Sequence, residues 1–190
     1  MSDVRAASFA RPAAIVVGRR AVLVLAGALL VALGAQLAVL PPGTPVPITF
    51  QVPAVLIVGG LLGPRWGAAS LALYLLMGVA HLPVFAPIAP SSAARLIGPT
   101  GGYLLAYPLA AAAVGVVAGD TRAWARVLPA MVVGTLVIHL GGVAQLAILG
   151  GDVGTAVRLG SVPFLIGDLV KVLLAGLVVR RLGGTTRALL

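Results

Sequence analysis

The chain has 190 residues, of which 61% are hydrophobic and only 9% are charged, with a formal net charge of +9 and no cysteine. So little polar surface cannot cover a water-soluble globule of this size, which excludes a soluble domain and predicts an all-α integral membrane protein. The arginines lie between apolar segments or near the termini, so the charge indicates membrane topology and no nucleic-acid partner. Disulfides are excluded, and two histidines with four acidic residues make a metal site or another cofactor unexpected.

Six apolar segments predict six transmembrane helices. The segments are 21–40, 52–62, 66–79, 101–119, 127–149 and 163–179. At ~1.5 Å per helical residue, the second and third segments are shorter than the ~30 Å hydrocarbon core of a membrane. We therefore expect loop residues to extend them or neighbouring helices to shield them.

The arginines are distributed unequally between the two predicted sides of the membrane. With both termini in the cytoplasm, only Arg95 and Arg158 are external. The cytoplasmic set is Arg5, Arg11, Arg19, Arg20, Arg65, Arg122, Arg126, Arg180, Arg181 and Arg187. Positive residues near span ends stay cytoplasmic, so this asymmetry supports six spans with both termini inside. The predicted organisation is a tail over 1–18, a membrane domain over 19–182 and a second tail over 183–190.

The first predicted span carries a face of small residues. Ala28 and Ala32 are four positions apart, with Gly34 and Ala35 nearby. Small residues let helices approach closely, so this face favours close helix contact, either within the chain or with a partner.

The sequence Gly-Pro-Thr-Gly-Gly-Tyr at 98–103 opens the fourth predicted span. Gly101 and Gly102 beside Tyr103 would expose backbone N–H groups at a helix N-terminus, which suits a polar or anionic ligand group. Alternatively the segment is a turn with a cap, and Tyr103 is an interfacial aromatic residue. Arg95, three residues upstream, could reach an anionic ligand or lie among lipid headgroups.

The last two predicted spans contain isolated polar residues. His139 and Gln145 lie within the fifth span, where interhelical hydrogen bonds are the usual role of such side chains. Asp168 and Lys171, the only lysine, lie within the sixth, and a spacing of three places them on one helix face. Each charge at membrane depth costs at least ~2.5 kcal/mol, so the pair is either a ligand site or a structural salt bridge.

Several catalytic motifs are absent from the sequence. It contains no Gly-x-x-x-x-Gly-Lys-[Ser/Thr] phosphate loop, no Gly-x-Ser-x-Gly and no His-Glu-x-x-His. ATP hydrolysis by this chain is therefore excluded and an enzyme is not expected. A ligand-binding membrane protein, a channel-like or structural bundle and a small membrane enzyme remain the functional alternatives.

Four ordered motifs resemble one known family. They are Pro-Val-Pro-Ile-Thr-Phe-Gln at 45–51, Leu-Pro-Val-Phe-Ala at 82–86, Gly-Pro-Thr-Gly-Gly-Tyr at 98–103 and Gly-Asp-Leu-Val-Lys at 167–171. In this order they resemble the signatures of the BioY family, the biotin-binding S components of energy-coupling factor (ECF) transporters. The resemblance extends from the first predicted helix to the last, whereas the tails match nothing specific.

This resemblance implies a six-helix subunit of the bacterial cytoplasmic membrane that captures biotin at its external face. The implied partners are a transmembrane coupling subunit and two ABC-type ATPases, with a homo-oligomer possible; another small vitamin is the alternative substrate. Asp168 and Lys171 are implied to bind biotin, together with Tyr103, Gly101, Gly102 and Arg95. The Ala28 and Ala32 face resembles the surface by which S components dock on the coupling subunit.

Overall fold

The computed structural model describes residues 13–88, 92–121 and 123–187. Its α-helices are α1 (Ala13–Gln36), α2 (Gln51–Val79), α3 (Ala94–Ile97), α4 (Gly101–Ala118), α5 (Trp124–Gly150), α6 (Val153–Gly160) and α7 (Leu165–Arg187). Strands β1 (Ala38–Val39) and β2 (Ile48–Thr49) pair antiparallel between α1 and α2, and a 3₁₀ turn, Val162–Phe164, precedes α7. Of the arginines assigned to the cytoplasm, Arg5, Arg11 and Arg122 lie outside the described residues, as does the side chain of Arg187.

Five helical segments in the described part of the chain are long and apolar enough to cross a membrane. They are Ile15–Gln36, Gln51–Val79, Gly101–Ala118, Trp124–Gly150 and Val153–Gly183. The predicted all-helical membrane fold is confirmed, whereas the number of crossings and their direction stay predictions. Helix α1 begins within the segment predicted as the N-terminal tail, and α7 continues into the segment predicted as the C-terminal one.

Helix α2 contains both short apolar segments, 52–62 and 66–79, as the two arms of a hairpin. The bend is at Gly63, whose φ of 75° and ψ of −177° are a backbone conformation that glycine adopts without a Cβ clash. Pro64 follows and suits the first position of the second arm because it has no N–H to leave unpaired. The arms run back alongside each other, since the Gln51 amide nitrogen donates to the Tyr74 hydroxyl over 2.6 Å.

Small residues allow the α2 hairpin to lie close to its neighbours. Gly59 lies against the backbone of Ala111 on α4, and Gly115 on α4 lies against the Gly63 bend. On the other side, Gly27 of α1 lies against Ser70. The hairpin is therefore the centre of the bundle. Helices α1 and α4 pack on either side of it, and α7 and α5 complete the bundle around it.

The first connection is folded over one end of the bundle. After the β1–β2 pair, Thr44 donates from its hydroxyl to the carbonyl of Leu159 at the end of α6 over 2.7 Å. At the opposite end, arginines stack on tryptophans: Arg20 lies 5.2 Å from the ring centre of Trp66, and Arg180 lies 4.6 Å from that of Trp124. Such cation–π pairs place amphipathic side chains where an apolar core meets a polar surface.

Candidate functional site

A cavity lies beneath the folded first connection, at the end of the bundle away from the arginine–tryptophan pairs. Its walls come from the cavity ends of α2, α4, α5 and α7, and its cover comes from the connections around β2 and α3. The lining residues are Val46, Pro47, Thr49, Gln51, Val52, Phe85, Ala86, Arg95, Thr100, Tyr103, Leu104, Tyr107, Ile138, His139, Phe164, Asp168 and Lys171.

Asp168, Lys171 and His139 form one polar end of the cavity, here called the Asp168 pole. Asp168 lies in the first turn of α7 and is 5% exposed. Its Oδ1 accepts from Lys171 Nζ over 3.0 Å, and its Oδ2 lies 2.7 Å from His139 Nε2 on α5. The i, i+3 spacing explains the first contact, whereas the second joins two helices. Among the described residues, each carboxylate oxygen thus has one partner and retains capacity to accept further hydrogen bonds.

His139 is held on its other edges as well. Its Nδ1 lies 2.9 Å from Ser161 Oγ, which precedes the 3₁₀ turn. The ring packs edge-on against Tyr103, with centroids 6.4 Å apart, and lies 6.5 Å from Phe164. The imidazole is therefore fixed between α4, α5 and the start of α7.

Arg95 forms the second polar end, here called the Arg95 pole. It is carried by the single turn α3 and is only 4% exposed. Its Nη1 donates to the carbonyls of Ala86 and Ile88, the latter over 2.7 Å. Backbone carbonyls thus take the place of a carboxylate, and within the described residues the hydrogen bonds of this guanidinium all start at Nη1, which leaves its other N–H groups for a ligand.

Aromatic rings separate the two poles. Tyr103 and Tyr107 of α4 are 8% and 3% exposed, and Tyr103 donates to the carbonyl of Gly160 over 2.7 Å. Phe85 packs edge-on against Tyr74 at 5.4 Å, and Phe164 covers the side near His139. The cavity is therefore an apolar slot with a compact polar group at each end, suited to a small molecule that is polar at both ends.

Four of the predicted ligand residues lie on this cavity: Asp168, Lys171, Tyr103 and Arg95. Gly101 and Gly102 do not line it. Gly102 lies against the Gly141 backbone of α5, and the N–H of Gly101 donates to the Gly98 carbonyl over 3.0 Å. In this structure Gly102 permits the close approach of α4 to α5, and Gly101 permits that of α4 to Leu96 of α3. Tyr103, their neighbour, is thereby placed in the wall.

The small face of α1 packs inside the chain. Ala28 is fully buried and Ala32 is 8% exposed, both in the core formed with the α2 hairpin. A docking partner would reach this face only if α1 moved away from α2. The outward face of α1 instead exposes long aliphatic side chains, including Leu25, Leu29 and Leu33.

The lining residues that were not among the predicted ligands include His139, Gln51 and Tyr107. His139 was assigned to interhelical hydrogen bonding, and it makes such a bond to the predicted site residue Asp168. Gln51 lies in the motif at 45–51, with Thr49 donating to its Oε1 over 3.2 Å. Tyr107 lies one helical turn after Tyr103. That spacing, and a lone histidine within an apolar span, were the signals that could have identified two of them.

The sequence model of the BioY family matches residues 7–188 of the chain. "Biotin transporter BioY" of Thermotoga maritima is 37% identical over 80% of this chain and 89% of its own. "Probable biotin transporter BioY" of Pyrococcus horikoshii is 39% identical over 83% and 91%. A crystal structure of the S-component for biotin from an ECF-type ABC transporter superposes with a TM-score of 0.77 at 26% identity, over 87% of this chain and 90% of that one.

Proposed function

The chain belongs to the BioY family, and from that premise we propose that it captures biotin for uptake as the substrate-binding S component of an ECF transporter. Its relatives are named as transporters, and the chain is a transport protein rather than an enzyme. The observation that carries the proposal is the cavity that the Asp168 pole and the Arg95 pole both line.

Biotin matches the two poles chemically. Its ureido ring has N–H donors beside a carbonyl acceptor, its thioether ring is apolar, and its valerate tail ends in a carboxylate. The rings of Tyr103, Tyr107, Phe85 and Phe164 supply an apolar wall for the fused rings and the tail.

The ureido group binds at the Asp168 pole. Asp168 is an acceptor and Lys171 is a donor, and the two groups are 3.0 Å apart. A cyclic urea presents N–H next to C=O along one edge, so it can donate to the carboxylate while its carbonyl accepts from the ammonium. Lys171 therefore contacts the ureido carbonyl in this proposal, and the buried ion pair is part of the site instead of a packing device only.

The valerate carboxylate binds at the Arg95 pole. The guanidinium is buried, and no acidic side chain of the described residues bonds to it. A ligand carboxylate would supply the missing negative charge through charge-assisted hydrogen bonds, which are the stronger class. Arg95 lies beside the carbonyls that it holds in the 82–88 segment, so the same side chain joins the ligand to the cover.

The protein is a multi-pass membrane protein, and we place it in the bacterial cytoplasmic membrane with six crossings and both termini inside. The two arms of α2 count as separate crossings, since they run back alongside each other from the bend at Gly63. The arginine–tryptophan pairs support a cytoplasmic location for their end, because positive residues remain on that side. The cavity then opens to the outside.

The chain lacks a phosphate loop, so energy for uptake must come from other subunits. We propose that these are a transmembrane coupling subunit and two ABC-type ATPases. Docking of the coupling subunit at Ala28 and Ala32 requires that α1 separate from the α2 hairpin, since both alanines are buried.

Calorimetric titration of the purified, detergent-solubilised chain tests the proposal. We expect biotin to bind selectively over thiamin, riboflavin and lipoate, and Lys171→Ala to abolish or greatly weaken the binding. A matched control is Gly63→Ala, which strains the bend far from the cavity and should leave affinity unchanged. A folded wild-type chain that binds none of the ligands would leave the Asp168–Lys171 pair as a structural salt bridge, and selective binding of another vitamin would reassign the substrate.

A further inference from the structure

We infer that His139, anchored by Ser161, is a positioning residue that sets the orientation of the Asp168 carboxylate in the cavity. This inference rests on the proposed function, since Asp168 is taken as the acceptor for the ureido N–H. His139 itself does not need to contact the ligand. It acts through the bond between its Nε2 and Asp168 Oδ2, at 2.7 Å.

Lys171 alone does not fix the carboxylate. The terminal torsion of an aspartate is broad, and an ammonium on a flexible four-carbon stem is a point charge without a preferred plane. Lys171 lies on the same helix as Asp168, three residues later. Its bond therefore does not fix the position of the carboxylate relative to the helices across the cavity. A second bond, from α5 to the other oxygen, defines the carboxylate plane relative to two helices.

The contacts of His139 determine which nitrogen carries the proton. A carboxylate only accepts hydrogen bonds, so Nε2 must donate to Asp168. In the neutral ring Nδ1 then accepts from the Ser161 hydroxyl, at 2.9 Å. A group bonded to one ring nitrogen sets the donor at the other, as outer-shell partners do for metal-binding histidines. Asp168 thereby sets the tautomer, and Ser161 anchors the ring through its other nitrogen.

Packing holds the ring in this orientation. Tyr103 contacts its edge, and Phe164 lies on another side. The side chain of His139 is 14% exposed and that of Asp168 is 7% exposed, so little water competes for the bond between them. Loss of the donor would leave one carboxylate oxygen short of a partner, and the carboxylate would be free to turn toward Lys171.

Two replacements of His139 separate positioning from packing. In His139→Gln the side-chain amide nitrogen can occupy nearly the place of Nε2 and still donate to Asp168, whereas His139→Leu fills the space without a donor. We expect biotin affinity to stay within about threefold of wild type for glutamine and to fall by about 10- to 100-fold for leucine, the usual effect of one hydrogen bond to a charged group. Calorimetry measures the affinities, and thermal melting in detergent checks the fold.

Biotin amide is the control ligand, because it changes only the end that binds near Arg95. If His139 acts through Asp168, the leucine variant should lose the same factor with biotin and with the amide. A loss confined to one of the two ligands, or equal losses in the glutamine and leucine variants, would mean a general disturbance of the cavity and would overturn the inference.

Ser161→Ala keeps the test decisive if the leucine variant fails to fold. The substitution removes the serine hydroxyl that bonds to the His139 imidazole and adds no new group. We expect biotin affinity to fall by about three- to tenfold at unchanged melting temperature. Wild-type affinity in both Ser161→Ala and His139→Leu would refute the role of the pair. If the His139→Leu variant does not fold, wild-type affinity in Ser161→Ala is enough to refute it. Absence of biotin binding by the wild type would instead refute the proposed function.

Discussion

The Asp168 pole and the Arg95 pole both bury a charge at the same cavity, but they are built differently. Asp168 bonds to side-chain nitrogen atoms of two helix residues, Lys171 of α7 and His139 of α5. Arg95 is met by backbone carbonyls of the connection between α2 and α3, at Ala86 and Ile88. One pole is therefore part of the rigid bundle, and the other is part of the cover.

This difference indicates how the two ends of a ligand are recognised. Helix-borne groups keep a fixed geometry whether or not a ligand is present, which suits discrimination of a small ring by its donors and acceptors. A guanidinium bonded to a connection couples the ligand to the position of that connection. We therefore expect variants at the Asp168 pole to change recognition of the ligand's ring. Variants at the Arg95 pole should change both recognition of the ligand's carboxylate and how firmly the cover is held.

The largest effect is expected for Asp168→Asn. The substitution removes the negative charge between Lys171 and His139 and leaves a buried ammonium without its counter-charge. Breaking such a pair destabilises a fold by ~3–5 kcal/mol. Because the ureido N–H also loses its charged acceptor, we expect the largest loss of biotin affinity for this variant. Calorimetry gives the affinity, and circular dichroism verifies that the helices persist. Binding at wild-type strength in a folded variant would show that the pole is structural.

Lys171→Ala is expected to follow, with a loss of ~2–5 kcal/mol in binding free energy, because a charged hydrogen bond disappears and Asp168 loses a partner. An analogue with a cyclic guanidinium in place of the urea sharpens the assignment. It has no carbonyl acceptor and carries a positive charge, so Lys171 should repel it. We therefore expect the alanine variant to lose much less affinity for the analogue than for biotin. Equal losses would argue that Lys171 does not contact the carbonyl position.

At the other pole, Arg95→Gln should erase the preference for biotin over biotin amide. The expected loss is ~1–3 kcal/mol for biotin, and little for the amide beyond the loosening of the cover. Arg95→Lys is the matched control, since it keeps the charge without the planar fork that bonds two carbonyls. Competition titrations with both ligands measure the ratio. A preference that survives in the glutamine variant would place the carboxylate elsewhere.

The sequence predicted features that depend on neighbours along one helix. Asp168 and Lys171 were placed on one face by their spacing, and the structure contains their ion pair. The contact of His139 with Asp168 joins positions 29 apart and depends on how α5 is rotated against α7. In helices that are apolar on all sides, the residue pattern does not define that rotation.

The same limit explains the glycines at the start of α4. A glycine pair favours an exposed backbone and a close helix contact equally, and only the position of Gly141 on α5 decides between them. Likewise, the small face of α1 at Ala28 is compatible with an internal or an external neighbour, and the structure places the α2 hairpin there.

The smallest predicted effect comes from Gln145, which links the two poles through α5. Its side-chain amide donates to the carbonyls of Leu96 over 3.0 Å and Gly98 over 2.7 Å, on either side of the end of α3. Gln145→Leu keeps the bulk but leaves both carbonyls without this donor, so α3 should hold Arg95 less firmly. We expect ~1 kcal/mol of lost biotin affinity and faster backbone hydrogen exchange in the 82–88 segment. Exchange near Asp168 should not change, because His139 lies on a different part of α5 and keeps its own bonds. If exchange rose equally at both poles, the cover and the helical bundle would behave as one unit, and the distinction between the two poles would fail.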